Sequence, residues 1–529
     1  MAATKISKTT PEVITPVSPL LAIELEGISK SFGAVHANKD ISLAVLKGSI
    51  HGIVGENGAG KSTLMSILYG FYQADRGEIR VDEKPVKITT PQHAIDAGIG
   101  MVHQHFMLVP NFTVLENIIM GAESGALLKG SLTEARRLLT EIEVEYGLDV
   151  DPDAVVEHLS VGMQQRVEIL KALYRQAEIL ILDEPTGVLT PSEANHLFLI
   201  LRKMKGQGKT IIIITHKLRE IMAVTDTVSV MRQGQMTATV KTSETTSANL
   251  AELMVGRSVV LHVEKREATL GKTLLIASGL TIEKDGVRTL DNVSFTLRAG
   301  EILGVAGVAG NGQSELLDVI AGIKPATSGT LSLKGRDISL SSGYLAKTRR
   351  DAGIGHIPED RHKRGLIMRF KAWENAVFGY HHRNDAGGGG YLVDKHQRLA
   401  DATKKIKEYD VRPADPNLEA CNFSGGNQQK IVIARELESN PDVLLVGQPT
   451  RGVDIGAIEF IHRRLIELRD AGKAILLVSV ELDEVLSLSD RVIVMFDGKI
   501  VGERVTSKTN EKEIGLLMAG VTENLEVSK

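Results

Sequence analysis

The chain has 529 residues, too many for one hydrophobic core, so two or more domains are expected. Its 62 Lys and Arg against 66 Asp and Glu leave a net charge of −4, which argues against a large phosphate-backbone partner and predicts no nucleic acid partner. The single cysteine, Cys421, excludes an internal disulfide and fits a reducing compartment, and no apolar run approaches the roughly 18 residues that span a bilayer. A soluble, cytosolic chain is predicted, able to bind a membrane protein from the cytosolic side.

In chain order, "MAATKISKTTPEVITPVSPL" (1–20) is broken by Pro11, Pro16 and Pro19 and reads as a disordered tail. Phe32, 23 residues before Gly55, can stack on adenine or serve the core. "IHGIVG" (50–55) is predicted as a strand and "KSTLMSILYGFY" (61–72) as a helix. Between them "GENGAGKST" fits G-x-x-x-x-G-K-[ST] in the strand-to-helix context that the motif requires. Its glycines let backbone N–H groups crowd around phosphate oxygens, and the helix N-terminus adds positive charge. Lys61 would bridge the terminal phosphates, and the Ser62 hydroxyl would ligate Mg²⁺. In "GMVHQHF", Gln104 can ligate the same Mg²⁺; His103 and His105 alternate as if on one side of a strand, but no ligand cluster accompanies them and they are read as structural.

Residues 105–160 read as a mainly helical subdomain. "LSVGMQQR" then places Ser160 as the N-cap of a further helix. "EILILD" (178–183) is a buried strand whose tip carries Asp183 and Glu184. A buried Asp183 needs a cation, and Mg²⁺ held through its water shell is the expected one. Glu184 can polarise the attacking water. A helix over 191–205 and the strand "TIIIIT" (210–215) follow, and His216 just beyond can bond the γ-phosphate or the water.

After a charged connection near 256–272 the pattern returns. "GENGAGKS" aligns with "GVAGNGQS" at an offset of 252, and "LSVGMQQR" with "FSGGNQQK" at 264. Asp183 aligns with Gly447, again at 264, and "GIGMVHQ" with "GIGHIPE" at 255. The chain is a tandem repeat. Alternating strands and helices in each copy predict an α/β fold with a mostly parallel sheet. "DAGGGGY" (385–391) reads as a flexible loop, and Cys421, three residues before Ser424, as a small buried side chain.

"GENGAGKST", "LSVGMQQR", "ILILDEPT" and "IIIITHKL", in this order and spacing, resemble the nucleotide-binding subunit of ABC transporters over about 21–520. The tandem fusion, "HIPEDRHKRGL" and "FSGGNQQK" resemble the ATP-binding subunit of bacterial monosaccharide and nucleoside importers. "GIGMVHQHFMLVPNFTVLENI" is most similar to the nucleoside branch. The resemblance implies two tandem P-loop ABC-type nucleotide-binding domains, each with a helical subdomain, at 21–256 and 273–520, with a linker at 257–272 and tails at 1–20 and 521–529. It implies ATP bound by Phe32, Gly55, Glu56, Asn57, Gly58, Ala59, Gly60, Lys61, Ser62, Thr63 and Gln104. It also implies that the two copies dock head to tail, so that Ser424, Gly425 and Gly426 complete the site of Lys61, Asp183, Glu184 and His216.

The opposite site would combine Gln313, Gly447, Gln448 and Val480 with the altered turn at Val161 and be silent, leaving one hydrolytic site. Two membrane-spanning permeases and, through them, a solute-binding lipoprotein or periplasmic protein are implied partners, at the cytoplasmic face of the cell membrane. Two other classes compete. A soluble tandem ATPase acting on ribosomes or DNA usually keeps two competent sites and a long basic connector. A regulatory module would not need Lys61, Asp183 and Glu184 together.

Overall fold

A computed structural model describes residues 20–33, 35–103, 106–121, 128–186, 189, 191–257, 265–284, 286–308, 310–338, 345–381, 395–453 and 455–521. The chain forms two compact units, 1–189 with 193–250, and 251–529 with 190–192.

The first unit is built on two sheets. A six-stranded sheet runs Gln235–Lys241, Thr227–Arg232, Ile50–Gly55, Thr210–Thr215, Ile179–Asp183, Ile99–Val102, parallel except for its first pair. A four-stranded antiparallel sheet runs Val35–Leu46, Leu21–Phe32, Arg76–Val81, Lys84–Pro85.

Period-two alternation sorts the central strands between two cores. Leu180, Leu182, Ile211 and Ile213 face the helical side with Val114, Ile118, Leu139 and Val167. Ile179, Ile181, Ile212 and Ile214 face the antiparallel sheet with Leu25, Ile41, Leu64 and Leu68. Covering both faces demands continuous apolar strands, hence "ILIL" and "IIII". The C-terminal ends of Ile50–Gly55, Ile179–Asp183 and Thr210–Thr215 lie side by side, which brings the phosphate loop, the acid pair and His216 to one edge.

The second unit repeats this plan. Its six-stranded sheet runs Ile354–Ile357, Val443–Gly447, Ala474–Val478, Ile302–Ala306, Arg491–Phe496, Lys499–Val505. Its antiparallel sheet runs Val287–Arg298, Thr273–Lys284, Ser328–Leu333, Arg336–Asp337. Leu445 and Leu476 serve one core, Leu444 and Ile475 the other.

Several expectations need correction. The helix read over 61–72 ends at Leu68, because Gly70 has φ 86° and packs against the Thr90–Pro91 backbone, where a Cβ would overlap. The mainly helical reading of 105–160 holds among the described residues, with Val114–Ile119, Leu128–Tyr146 and the short Val156–His158 ahead of the helix Val161–Tyr174. The segment at 265–267 packs on the second unit: Lys265 bonds Ser489 O and pairs with Asp490 at 3.7 Å, and Arg469 donates to Arg266 O at 2.9 Å. Cys421 is exposed rather than buried, since it lies in the short turn Ala420–Asn422, which buries Ala420 instead. The tails at 1–19 and 522–529, the loop at 385–391, Gln104 and His105 lie outside the described residues. His103 lies just past the strand Ile99–Val102, beside the rings of Tyr69 and Phe71 at 5.8 and 5.5 Å.

Candidate active site

The first copy's loop is shaped by its glycines. Gly55 approaches the Met231 carbonyl too closely for a side chain. Gly60, at φ 96°, N-caps the helix Lys61–Leu68 and approaches Ala37 O and Asn38 Nδ2. Asn38, 1% exposed, donates to Gly60 O at 3.1 Å and ties the loop to the antiparallel sheet. No motif in the sequence pointed to this residue. Lys61 is buried, with Nζ 2.6 Å from Gly55 O and 3.0 Å from Glu56 O. Burial pushes its pKa down, opposed by the charges of Glu184, Asp183 and Glu56. Ser62, Asn57 and Gly58 are exposed, while Glu56 and Thr63 are half-buried and Ala59 is buried. Phe32 is 44% exposed, so the core role fails; its ring stands edge-on to Tyr72 at 5.2 Å.

The two acids at the strand tip are driven in opposite directions. Asp183 is buried, and its pKa is raised to about 6, first by burial and then by the charge of Glu184, with Lys61 opposing. Glu184 is held below the ordinary carboxylate range, chiefly by its hydrogen bond with His216, Nδ1 to Oε1 2.9 Å. Glu184 takes φ 46°, an uncommon conformation for a non-glycine residue, with its N–H on Ile214 O at 2.8 Å. At neutral pH this leaves an ionised Glu184 able to take a proton, beside a buried carboxylate that calls for a cation. Oxygen donors from Ser62 and Asp183 suit Mg²⁺.

The second copy keeps the backbone and changes the chemistry. Gln448 also takes φ 46°, with its N–H on Val478 O at 2.8 Å. Its Oε1 accepts from the Val480 N–H at 3.2 Å. Gln313 stands for Lys61 and donates to Val308 O at 3.1 Å. Ser314 stands for Ser62 and donates to Glu359 at 2.5 Å. A Cβ at Gly447 would lie 2.6 Å from Glu359 Cγ, so Glu359 fills the space that an Asp183 equivalent would need. The three departures fit one another.

The turns that open "LSVGMQQR" and "FSGGNQQK", here called the signature turns, differ as well. Both serines stand at the N-cap, as expected. Ser160 Oγ accepts from the Met163 N–H at 3.4 Å, whereas Ser424 Oγ accepts from Asn427 Nδ2 at 2.8 Å and makes no backbone cap.

The ABC transporter family model matches residues 38–187 and 290–451. The chain belongs to the ABC transporter family. It is 48% identical to the guanosine import ATP-binding protein NupO of Bacillus subtilis (strain 168), over 95% of this chain and 98% of that protein. It is 46% identical to the nucleoside import ATP-binding protein NupA of Lactococcus lactis subsp. cremoris (strain MG1363), over 94% and 98%. With the glucose import ATP-binding protein TsgD13 of Haloferax volcanii it shares 43% over 94% and 96%. An archaeal ribosome recycling factor, aABCE1, solved with the ribosomal stalk protein aP1, superposes with a TM-score of 0.58 at 19% identity, over 90% of this chain and 88% of that one, which speaks for the fold alone. As an ABC transporter ATP-binding protein the chain is an ATPase coupled to transport. No helix among the described residues is long and apolar enough to cross a membrane. An import ATP-binding subunit implies membrane permease partners.

Asp183 offers a test by stability. Its raised pKa means that the folded first copy favours the protonated form, so this group's contribution is full below the unfolded value near 3.8 and is lost as pH rises through about 6. Without nucleotide and Mg²⁺, Asp183→Asn is expected to stabilise the first unit at pH 7.5 by roughly 2–3 kcal/mol, the worth of about two pK units. The gain should shrink as pH falls from 6.5 to 4.5. Thermal unfolding across that range checks it, and a pH-independent difference would contradict it.

Proposed function

We propose that the chain is the energy-coupling ATPase of a bacterial nucleoside importer, with one hydrolytic and one silent nucleotide site. The observation that carries the single-site reading is the contrast at one backbone position. Glu184 is an ionised carboxylate held by His216, and Gln448, in the same conformation, is an amide that cannot take a proton.

In the hydrolytic site the phosphates of ATP lie against the N–H groups of Glu56–Thr63 and the ammonium of Lys61, and Phe32 offers its exposed ring to adenine. Lys61 leaves its own loop carbonyls for the terminal phosphates. Glu184 accepts the proton of the attacking water, and His216 keeps it ionised and aimed. Ser62, Gln104 and Asp183, the last through water, would hold Mg²⁺, which offsets phosphate charge when bound. The two nucleotide-binding domains, 21–256 and 273–520, are joined through 257–272 and pair head to tail, so that Ser424, Gly425 and Gly426 close over the γ-phosphate. In the opposite site Ser314 is already committed to Glu359 and no acid follows the strand. Gly307, Gly310 and Gly312 keep a loop there without its catalytic groups.

The two relatives described as guanosine and nucleoside import proteins support nucleosides as the solute. The chain would sit at the cytoplasmic face of the membrane on two permeases, fed by a solute-binding lipoprotein or periplasmic protein, with no nucleic acid partner. Co-purification in mild detergent is expected to recover two hydrophobic subunits. In reconstituted vesicles, binding protein loaded with guanosine should stimulate ATP turnover where ribose or glucose does not. Stimulation by a monosaccharide alone would move the chain to the sugar branch. Recovery only with ribosomes or DNA would overturn the importer reading.

A further inference from the structure

Among the places where the second copy is longer than the first, one lies between the strand Ile354–Ile357 and the helix Ala372–Val377. Gly98 and Gly353 are 255 residues apart, but Asn117 and Asn375, which close the same loop, are 258 apart. Asn117 bonds the Val109 N–H at 2.7 Å and Asn375 the Ile367 N–H at 2.9 Å, so the equivalence is structural. The three extra residues belong to a π-helical turn, Arg361–Gly365, whose N-cap Asp360 accepts from the His362 and Lys363 N–H groups at 2.9 and 3.0 Å.

This turn joins two parts of its own unit. On one side it grips the vestigial phosphate loop. Glu359 holds Ser314, and Arg364 forms a two-pronged pair with Asp318, which is 2% exposed on the helix Gln313–Ile320. On the other side it meets the turn after the strand Val443–Gly447 and the first part of the helix Gly425–Glu438. Arg361 donates to Arg451 O at 2.7 Å and Gly452 O at 3.4 Å, and its Nε lies 3.4 Å from Gln428 Oε1. His362 Nε2 lies 2.8 Å from the same oxygen. The Gln428 amide then donates to Ala420 O and Phe423 O, both at 3.0 Å, just before Ser424.

Among the described residues the first copy has the lower half of this arrangement. Gln164 donates to Val156 O and Leu159 O at 3.3 and 3.1 Å, but "HFMLVP" supplies no arginine to meet it. Gly425 marks the difference again: a Cβ there would lie 2.6 Å from Arg361 Nη2, and the first copy has Val161 at that position.

We propose that Arg361 is a positioning residue for ATP hydrolysis: it sets the signature turn Ser424–Gly426, using the vestigial nucleotide site of its own copy as the anchor. The inference rests on the composite-site reading above. A guanidinium suits the task, because its planar fork reaches two carbonyls and a glutamine oxygen at once. The degenerate site is then a scaffold. Ser314, Glu359 and Gly447 together hold the head of the turn that carries Arg361.

The test uses the assembled transporter. Arg361→Ala is expected to lower kcat by roughly tenfold or more, as displaced catalytic groups do. The KM for ATP should change less than about twofold, because the groups that first bind ATP are on the other copy. Arg361→Lys keeps the charge and loses the fork, and should recover little of the rate. A wild-type kcat in Arg361→Ala, with Ser424→Arg inactive, overturns the inference and leaves the composite site standing. An active Ser424→Arg removes the composite site and the inference with it. A loss of kcat matched by lost thermal stability and lost permease co-purification marks a merely structural arginine and also overturns it. Should Arg361→Ala fail to assemble, the same split is read on Arg361→Lys, where a wild-type kcat overturns the inference.

Discussion

Glu184→Gln is expected to reduce ATP turnover by roughly 10²-fold or more while ATP still binds. The substitution keeps the shape of the side chain and removes its ability to take a proton. The second copy already carries this residue at the matching position. Gln448 has the same φ of 46° and the same N–H bond to the neighbouring strand as Glu184, so the backbone tolerates the amide. What changes is the partner: Glu184 meets the His216 imidazole at 2.9 Å, and Gln448 meets the Val480 N–H at 3.2 Å. Because the groups that contact the phosphates are untouched, nucleotide retention should persist while phosphate release falls. Steady-state phosphate release and equilibrium nucleotide binding, both in the assembled transporter, separate the two effects. Turnover near that of the unmodified protein would show that the second copy hydrolyses ATP.

The parts of the fold and site that repeat were legible in the sequence, because repetition and spacing are sequence properties. "ILIL" and "IIII" announced strands buried on both faces, and two cores lie against them. "GENGAGKST" announced its turn because glycine is required where the Met231 and Ala37 carbonyls come close. What stayed hidden depends on contacts between segments far apart in the chain. Asn38 ties the loop at Gly60 from a strand 22 residues away, with no motif around it. Gly447 reads as a lost acid, and only the position of Glu359 shows that an aspartate would not fit there. The end of the helix after Lys61 is not legible in "LYGFY", which continues an apolar pattern that Gly70 interrupts through its contact with Thr90. Arg361 lies within "HIPEDRHKRGL", where no residue pattern sets it apart from its charged neighbours. Its signal is the three-residue lengthening of this loop, between Gly353 and Asn375, relative to the first copy.

Arginine at the two signature serines is expected to have opposite consequences. Each substitution places a bulky cation at a signature-helix N-terminus, so each spoils its anion site locally. Ser160 lies in the copy that holds Lys61, Asp183, Glu184 and His216, and Ser424 is 363 residues beyond Lys61. If each copy hydrolysed ATP alone, Ser160→Arg would be the damaging change. With head-to-tail pairing the order reverses: Ser424 serves the hydrolytic site, and Ser160 faces the loop in which Gln313 replaces the lysine. The local chemistry favours this order. Ser424 is followed by Gly425 and Gly426, and its hydroxyl is oriented by Asn427 rather than spent on a backbone cap. Ser160 is followed by Val161, and its hydroxyl caps the Met163 N–H. Ser424→Arg should therefore abolish hydrolysis, by roughly 10²-fold or more, the scale for losing a donor set aimed at transition-state charge. Ser160→Arg should retain much of the rate. Steady-state ATPase rates of the two variants in assembled transporter decide between the models. An inactive Ser160→Arg beside an active Ser424→Arg would place the hydrolytic signature in the first copy and dismantle the composite site.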